Sequence, residues 1–363
     1  MTSQPPRLQT WGPRADSGRP GLETFVFEAT TACNHSCGHC YNIWKGSLGA
    51  KAPPNPLTTT ETLDILGAFL DQSGAGLCTL SGGEPLLRPD LPEIVDFLHA
   101  RGVAINLLTN GTLLDEGALD WLCRGDRVSI FELPLLGPER AIHDMMSGAA
   151  GAFDRVTGAI AELKLRGQTV IGVFVATRQN IDGFRETLEL GLALGLDGMM
   201  LNRFNPGGAG REHLDFQVDP SALQQVLDLA ERASEELEFP VSCSIAMPPC
   251  LIDTGRYRHL TFGFCAAGTE RAYYTLDAGG DVRPCNHSPT VLGNIARGDR
   301  FEEMVRGPAM QAFLAARPAF CRGCRLELQC QGGCKAAAEA CYGSASEMDP
   351  FLRTFAERAR KLV

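Results

Sequence analysis

Fourteen cysteines in 363 residues constrain what this chain can be, because most of them are grouped. Cys33, Cys37 and Cys40 stand together near the start, and Cys265, Cys285, Cys321, Cys324, Cys330, Cys334 and Cys341 fill the C-terminal part. Cys78, Cys123, Cys243 and Cys250 are scattered between them. A chain of this length with 44% hydrophobic residues buries a core without disulfide staples. The first 21 residues, MTSQPPRLQTWGPRADSGRPG, have no apolar segment of signal-peptide shape and read as a disordered lead-in over 1–22. A cytoplasmic, reducing compartment is expected, where clustered thiols mean metal or redox chemistry. One structural zinc takes four ligands, too few for these groups. The net charge of −10 argues against nucleic acid or an anionic membrane as partner, since both need a basic footprint. No apolar run reaches the ~18 residues of a membrane span.

Between the cysteine groups, strand and helix patterns alternate. Strands are expected at 24–29, 77–80, 103–108, 127–133, 169–176 and 198–204. Helices are expected at 58–72, where Thr58 and Glu61 form a capping box, and at 91–101, 113–123, 153–166 and 181–194. Six strands with five intervening helices predict βαβ units and a parallel sheet, an α/β partial (β/α)6 TIM-like barrel over 23–205. A further amphipathic helix at 220–237 lies in a bridging segment, 206–255. Residues 256–363 are short strands, turns and cysteines, read as a small cysteine-rich domain held by metal rather than by a large apolar core.

The loop Cys33-x3-Cys37-x2-Cys40 follows the first strand, and active sites of parallel barrels lie at the C-terminal strand ends. Three thiolates can hold three irons of a [4Fe–4S] cube and leave the fourth open to a ligand. Ser81-Gly82-Gly83-Glu84-Pro85 ends the second strand and Thr109-Asn110-Gly111 the third. With these motifs the chain resembles the radical S-adenosylmethionine (AdoMet) superfamily. That resemblance implies a [4Fe–4S] cluster bound by the three cysteines plus AdoMet, and reductive cleavage of AdoMet to a 5′-deoxyadenosyl radical that abstracts hydrogen. It further implies AdoMet contacts from Ser81 to Pro85, from Asn110, from Ser129 in the fourth strand and from His39. Two departures are Ser147, where relatives often carry Arg, and a long segment at 132–140.

Cys265, the GxxxxC pattern ending at Cys285, and Cys321-x2-Cys324-x5-Cys330-x3-Cys334 resemble the SPASM domain, which carries two auxiliary [4Fe–4S] clusters. The resemblance gives Cys321, Cys324 and Cys330 to the outer cluster, and Cys334 to the inner one with Cys265 and Cys285. The family's last cysteine follows an Asp-Pro pair; here Asp349-Pro350 leads to Phe351-Leu352. Cys341, two helical turns past Cys334, is expected to complete the outer cluster, the alternative being a three-thiolate site. Cys250, preferred over Cys243, is expected to complete the inner cluster unless that cluster stays open.

Glu28, Glu132 and Arg203 are expected near strand ends facing the barrel mouth, where each could bind substrate or shuttle a proton, and Asn286-His287, directly after Cys285, join Glu132 and Arg203 as catalytic candidates. Asn286 cannot act as the base that sulfatase-maturing relatives carry in this neighbourhood. Three functions compete. The first is modification of a ribosomally made peptide by crosslinking or oxidation, with a flavodoxin- or ferredoxin-type electron donor. Because the barrel starts near residue 24, no N-terminal winged-helix recognition domain is expected, so a separate peptide-recognition protein would serve, or none. The second is oxidative side-chain chemistry on a tetrapyrrole or other small molecule, with Arg203, Arg211 and His213 meeting its carboxylates. The third is a non-catalytic iron–sulfur electron carrier.

Overall fold

The computed structural model describes residues 22–46 and 57–360, so the expected lead-in lies outside the described residues. Six parallel strands form the barrel: β1 (Thr24–Thr30), β2 (Leu77–Gly82), β3 (Ala104–Leu108), β4 (Ile130–Pro134), β5 (Val170–Ala176) and β6 (Gly198–Arg203). Helices return the chain between them: α1 (Thr59–Ser73), α2 (Leu91–Ala100), α3 (Glu116–Leu122), α4 (Arg140–Ser147), α5 (Ala152–Leu165) and α6 (Phe184–Ala193). The fold is thus the expected α/β partial barrel. The Thr58–Glu61 capping box forms, with Thr58 N–H donating to the Glu61 carboxylate at 2.8 Å. Helix α7 spans Pro220–Leu237, starting where Asp219 caps it and Pro220 fixes the first turn.

Three differences from the sequence expectation have local causes. Helix α3 starts at Glu116 because the Asp115 side chain caps it. Strand β4 begins at Ile130 rather than residue 127, after a tight turn in which Asp126 takes a φ of 54°. Helix α4 lies in the segment between β4 and β5 that the alternating pattern left unassigned.

The sheet does not stop at six strands. Strands β7 (Val241–Cys243) and β8 (Leu260–Phe262) continue it in parallel beyond β6. On the other side β9 (Thr275–Asp277) pairs in parallel with β1, followed by antiparallel β10 (Asp281–Arg283) and β11 (Gly293–Asn294). Helices α8 (Phe301–Arg306), α9 (Pro308–Ala315), α10 (Glu327–Cys330), α11 (Lys335–Tyr342), α12 (Pro350–Thr354) and α13 (Ala356–Arg360) complete the described C-terminal region.

That region has more apolar core than its sequence suggests. Phe69 of α1 packs against Phe25 of β1 at 4.8 Å and against Phe301 of α8 at 5.2 Å, and Phe301 meets Tyr274 at 5.3 Å. Leu276, Val282, Met310 and Phe351 are fully buried in the same core. Burial of such side chains is worth roughly 1.5–3 kcal/mol each, so metal is not the only force ordering these residues. Two buried ion pairs also tie barrel to C-terminal region: Glu28 of β1 with Arg283 of β10, and Arg203 of β6 with Asp349 at 2.6 Å.

Candidate functional site

The C-terminal ends of the barrel strands converge on the loop that follows β1, which carries Cys33, Cys37 and Cys40. Main-chain bonds hold this loop on several sides. Ser36 N–H and the Cys37 thiol both donate to the Ser147 carbonyl at the end of α4, at 3.3 and 3.2 Å. Position 147 therefore abuts the cysteine loop through its backbone, whatever its side chain. Gly210 N–H donates to Cys40 O at 3.1 Å. Gly83 and Glu84 N–H donate to Thr30 O and Ala32 O at 2.7 and 2.8 Å.

That last approach explains the glycines of Ser81–Pro85. A Cβ on Gly83 would lie 1.9 Å from Ala32 O, and one on Gly82, which has a φ of 123°, 2.4 Å from Thr30 O. The Gly82 carbonyl accepts from the Asn42 side chain, so both glycines first serve the packing of β2 against the cysteine loop. Glu84 is fully buried and accepts from Thr109 Oγ1 and Asn110 N–H at 2.7 Å each. Burial raises its pKa and these bonds pull it back. Asn110 in turn donates to Asn34, next to Cys33, at 2.7 Å. The ends of β1, β2 and β3 are thereby one hydrogen-bonded unit.

Tyr41, directly after Cys40, joins this unit to the C-terminal region. Its hydroxyl accepts from Asn286 Nδ2 at 3.1 Å, and its ring stacks on His287 at 4.2 Å between centroids. Burial, with Arg203 and Arg283 nearby, depresses the His287 pKa to about 3, so the imidazole is neutral. It can pack, accept or donate one hydrogen bond, but it is no cation at neutral pH.

Other expected residues are placed differently. Ser129 is exposed just before β4 begins, at the end of the strand opposite the cysteine loop, with its N–H donating to Ile105 O at 2.7 Å; it cannot meet AdoMet there. Arg203 is 1% exposed and bound to Asp349 and to Ala246 O at 3.0 Å, so it is not free for substrate. Glu28 is likewise committed to Arg283. His39 turns toward Met146 and His143, and burial depresses its pKa to about 4. Cys78 is fully buried in the core, as expected of an apolar thiol.

Glu132 lies mid-strand in β4 rather than at a strand end. It alternates with buried Phe131 and Leu133, which pack in the core, so its carboxyl takes the barrel-interior face of β4. Desolvation lifts its pKa from 4.5 to about 7. The folded chain therefore holds this proton more tightly than the unfolded chain, and stability falls as pH rises from 4.5 through 7. Glu132→Gln should leave thermal stability unchanged at about pH 4 and raise it by roughly 2–3 kcal/mol at about pH 8. Thermal melts of both chains across this range check it; equal stability at both pH values would mean the carboxyl is solvated.

Two cavities in the C-terminal region gather the remaining thiols. Cys265, Cys285 and Cys334 line the inner one beside His287, Asn205 and Lys335. Cys321, Cys324 and Cys330 line the outer one, as expected, but the fourth thiol there is Cys250. Cys341 lines neither cavity. The expected places of Cys250 and Cys341 are thus both corrected. A cluster takes one thiolate per iron; cysteines in three separate groups, two of them lining cavities, suit iron–sulfur clusters, since one structural zinc takes only four ligands.

The chain matches the radical SAM superfamily over residues 27–191 and the SPASM iron–sulfur cluster-binding domain over 265–325. It is a radical SAM enzyme with a SPASM domain. Such an enzyme uses AdoMet, a cluster at the barrel and auxiliary [4Fe–4S] clusters. The chain is 28% identical to the AdoMet-dependent heme synthase of Methanosarcina barkeri, over 90% of this chain and 95% of the relative. It is 27% identical to the PqqA peptide cyclase of Ruegeria pomeroyi, over 91% of this chain and 87% of the relative. The crystal structure of Streptococcus suis SuiB bound to S-adenosylmethionine shares the fold, with a TM-score of 0.71, 16% identity, and coverage of 90% of this chain and 76% of that one. No helix among the described residues is long and apolar enough to cross a membrane.

The sequence patterns gave Tyr41 and Asp349 no bridging role. Both bridge the barrel to the SPASM region of this radical SAM enzyme. Asp349 also accepts the Cys334 N–H at 2.6 Å. The Asp-Pro pair was the available signal, since Asp is a helix cap and Pro350 opens α12.

Proposed function

We propose that this radical SAM enzyme modifies a ribosomally made peptide, crosslinking or oxidising it after hydrogen abstraction. When bound, the cluster and AdoMet supply the 5′-deoxyadenosyl radical. Cys33, Cys37 and Cys40 would hold that cluster, and Ser81 to Pro85 with Asn110 would border AdoMet. Tyr41, Asn286 and His287 form a neutral wall, and Glu132 holds a proton at its carboxyl on the barrel-interior face. A flavodoxin- or ferredoxin-type protein would supply electrons, and a separate small protein could present the peptide.

The observation that carries the choice of substrate is the fate of the arginines. A tetrapyrrole with propionates needs cations that meet its carboxylates, and the three side chains expected to do so make other contacts. Arg203 is bound to Asp349, and Arg211 donates to Gly208 O and Ala340 O at 3.1 and 3.2 Å. His213 stacks on Phe216 at 4.6 Å. The likeness to a peptide cyclase over most of both chains supports the same reading. The likeness to a heme synthase along 95% of that relative keeps side-chain oxidation of a tetrapyrrole as the second reading.

The test is 5′-deoxyadenosine release by the anaerobically reconstituted enzyme, alone, with short peptides encoded beside its gene, and with iron porphyrin propionates. A burst with peptide, matched by a mass change in that peptide, is the expected result. A burst with porphyrin alone would transfer the enzyme to the second reading.

A further inference from the structure

The outer cavity has a volume of about 320 Å³ and is walled by four thiols, those of Cys250, Cys321, Cys324 and Cys330. Three come from one short stretch. Cys321 and Cys324 flank a turn in which Cys324 N–H donates to Cys321 O at 3.2 Å, and Cys330 ends α10. The fourth comes from far upstream, and its position is built. In the loop after β7, Pro248 O accepts from Leu251 and Ile252 N–H at 2.9 and 3.1 Å. Leu251 and Ile252 are buried at 9% and 1% exposure, which anchors the turn and presents Cys250 to the cavity. Leu352, two residues past Pro350, lines the same cavity with an apolar side chain that cannot ligate iron.

The backbone after Cys330 explains why Cys334 belongs elsewhere. Gln331, Gly332 and Gly333 take successive φ values of 56°, 90° and 84°. This left-handed run reverses the chain, so Cys330 lines the outer cavity and Cys334 the inner one. The two glycines are required at their positions, since a Cβ on Gly332 would lie 2.5 Å from Pro318 and one on Gly333 2.5 Å from Asp349. Cys341 lies on the barrel side of α11. Its thiol points to Pro206 O at 3.7 Å, and Arg211 binds the adjoining Ala340 carbonyl at 3.2 Å.

We infer that the outer auxiliary cluster is held by Cys250, Cys321, Cys324 and Cys330, and that Cys341 is not one of its ligands. Each of the four thiols gives up a proton on binding iron. The cluster then staples the loop after β7 to the segment before α11, closing a loop of several tens of residues. The inner cavity is left with three thiols, those of Cys265, Cys285 and Cys334.

The inference rests on the cluster-binding reading and not on the choice of substrate. Full-length chain and its Cys250→Ala, Cys324→Ala and Cys341→Ala variants are reconstituted anaerobically, and iron, sulfide and EPR spectra are measured. Cys250→Ala and Cys324→Ala should each lose about four irons per chain, or one iron with a cuboidal three-iron EPR signal in its place. Cys341→Ala should match the parent. Iron loss in Cys341→Ala, or full iron and an unchanged spectrum in Cys250→Ala, would overturn the assignment. If Cys250→Ala does not fold, alkylation of the parent chain before and after reconstitution decides, read by peptide mass mapping. Cys250 should become protected when iron is bound and Cys341 should label equally in both states. The reverse pattern would overturn the assignment, whereas a parent chain that takes up only about four irons would instead remove the auxiliary-cluster reading itself.

Discussion

A chain in which Cys33, Cys37 and Cys40 are all alanine should lose about a third of its iron after anaerobic reconstitution, and all of its 5′-deoxyadenosine production. The loss should be selective. The loop is held by Ser36, Gly83, Glu84 and Gly210 N–H groups, none of which needs a thiol, so its backbone survives the substitutions. The auxiliary thiols lie in separate cavities and keep their iron. Iron assays, AdoMet turnover and melting curves on one preparation separate these effects. Retained AdoMet cleavage would refute the assignment of this loop, and loss of all iron would mean that the clusters load only as a set.

Gly83→Ala should impair AdoMet binding without removing an iron ligand. The added methyl would lie 1.9 Å from Ala32 O, a backbone atom that cannot rotate away. Either β2 moves off the cysteine loop or the loop moves off β2, and both break the Gly83 and Glu84 hydrogen bonds to it. The cost should reach roughly 3 kcal/mol, the upper end of ordinary overpacking and a large part of a domain's ~5–15 kcal/mol. Gly158→Ala is the control. Nothing lies within 4 Å of its Cβ, on the exposed face of α5, so it should stabilise the chain by roughly 0.5–1 kcal/mol. Denaturant melts of the two variants should therefore move in opposite directions, and AdoMet binding should fall only in Gly83→Ala. A Gly83→Ala chain as stable as the parent would show that the β2–loop contact is loose.

What could be read from the sequence was local. The capping box at Thr58, the bounds of α7 and the motifs at strand ends β1 to β3 are set by residues within a few positions of each other. Pairing across long separations could not be read. Strands β7 to β11 have two or three residues each, too few for a periodic pattern, and owe their existence to the neighbours they pair with. Arg203 looked free because its partner, Asp349, lies 146 residues away. Ser129 was misplaced by a strand start three residues too early. The exchange of Cys250 and Cys341 has the same origin. Helical spacing put Cys341 near Cys334, but it could not say which wall of which cavity a side chain faces, and a turn near β7 had no sequence link to Cys330.

Strand β1 lies between β2 and β9, hydrogen-bonded on both flanks. Its Phe25 and Phe27 are at most 1% exposed. A chain stopped before β9 would carry the cysteine loop on a raw sheet edge with an apolar face, open to pairing with other copies. The catalytic loop and the auxiliary region are therefore not modules that evolution or an engineer can recombine freely. Swapping in a different C-terminal region means supplying a strand that fits β1, and any homologue that lost this region would need some other cover for that edge.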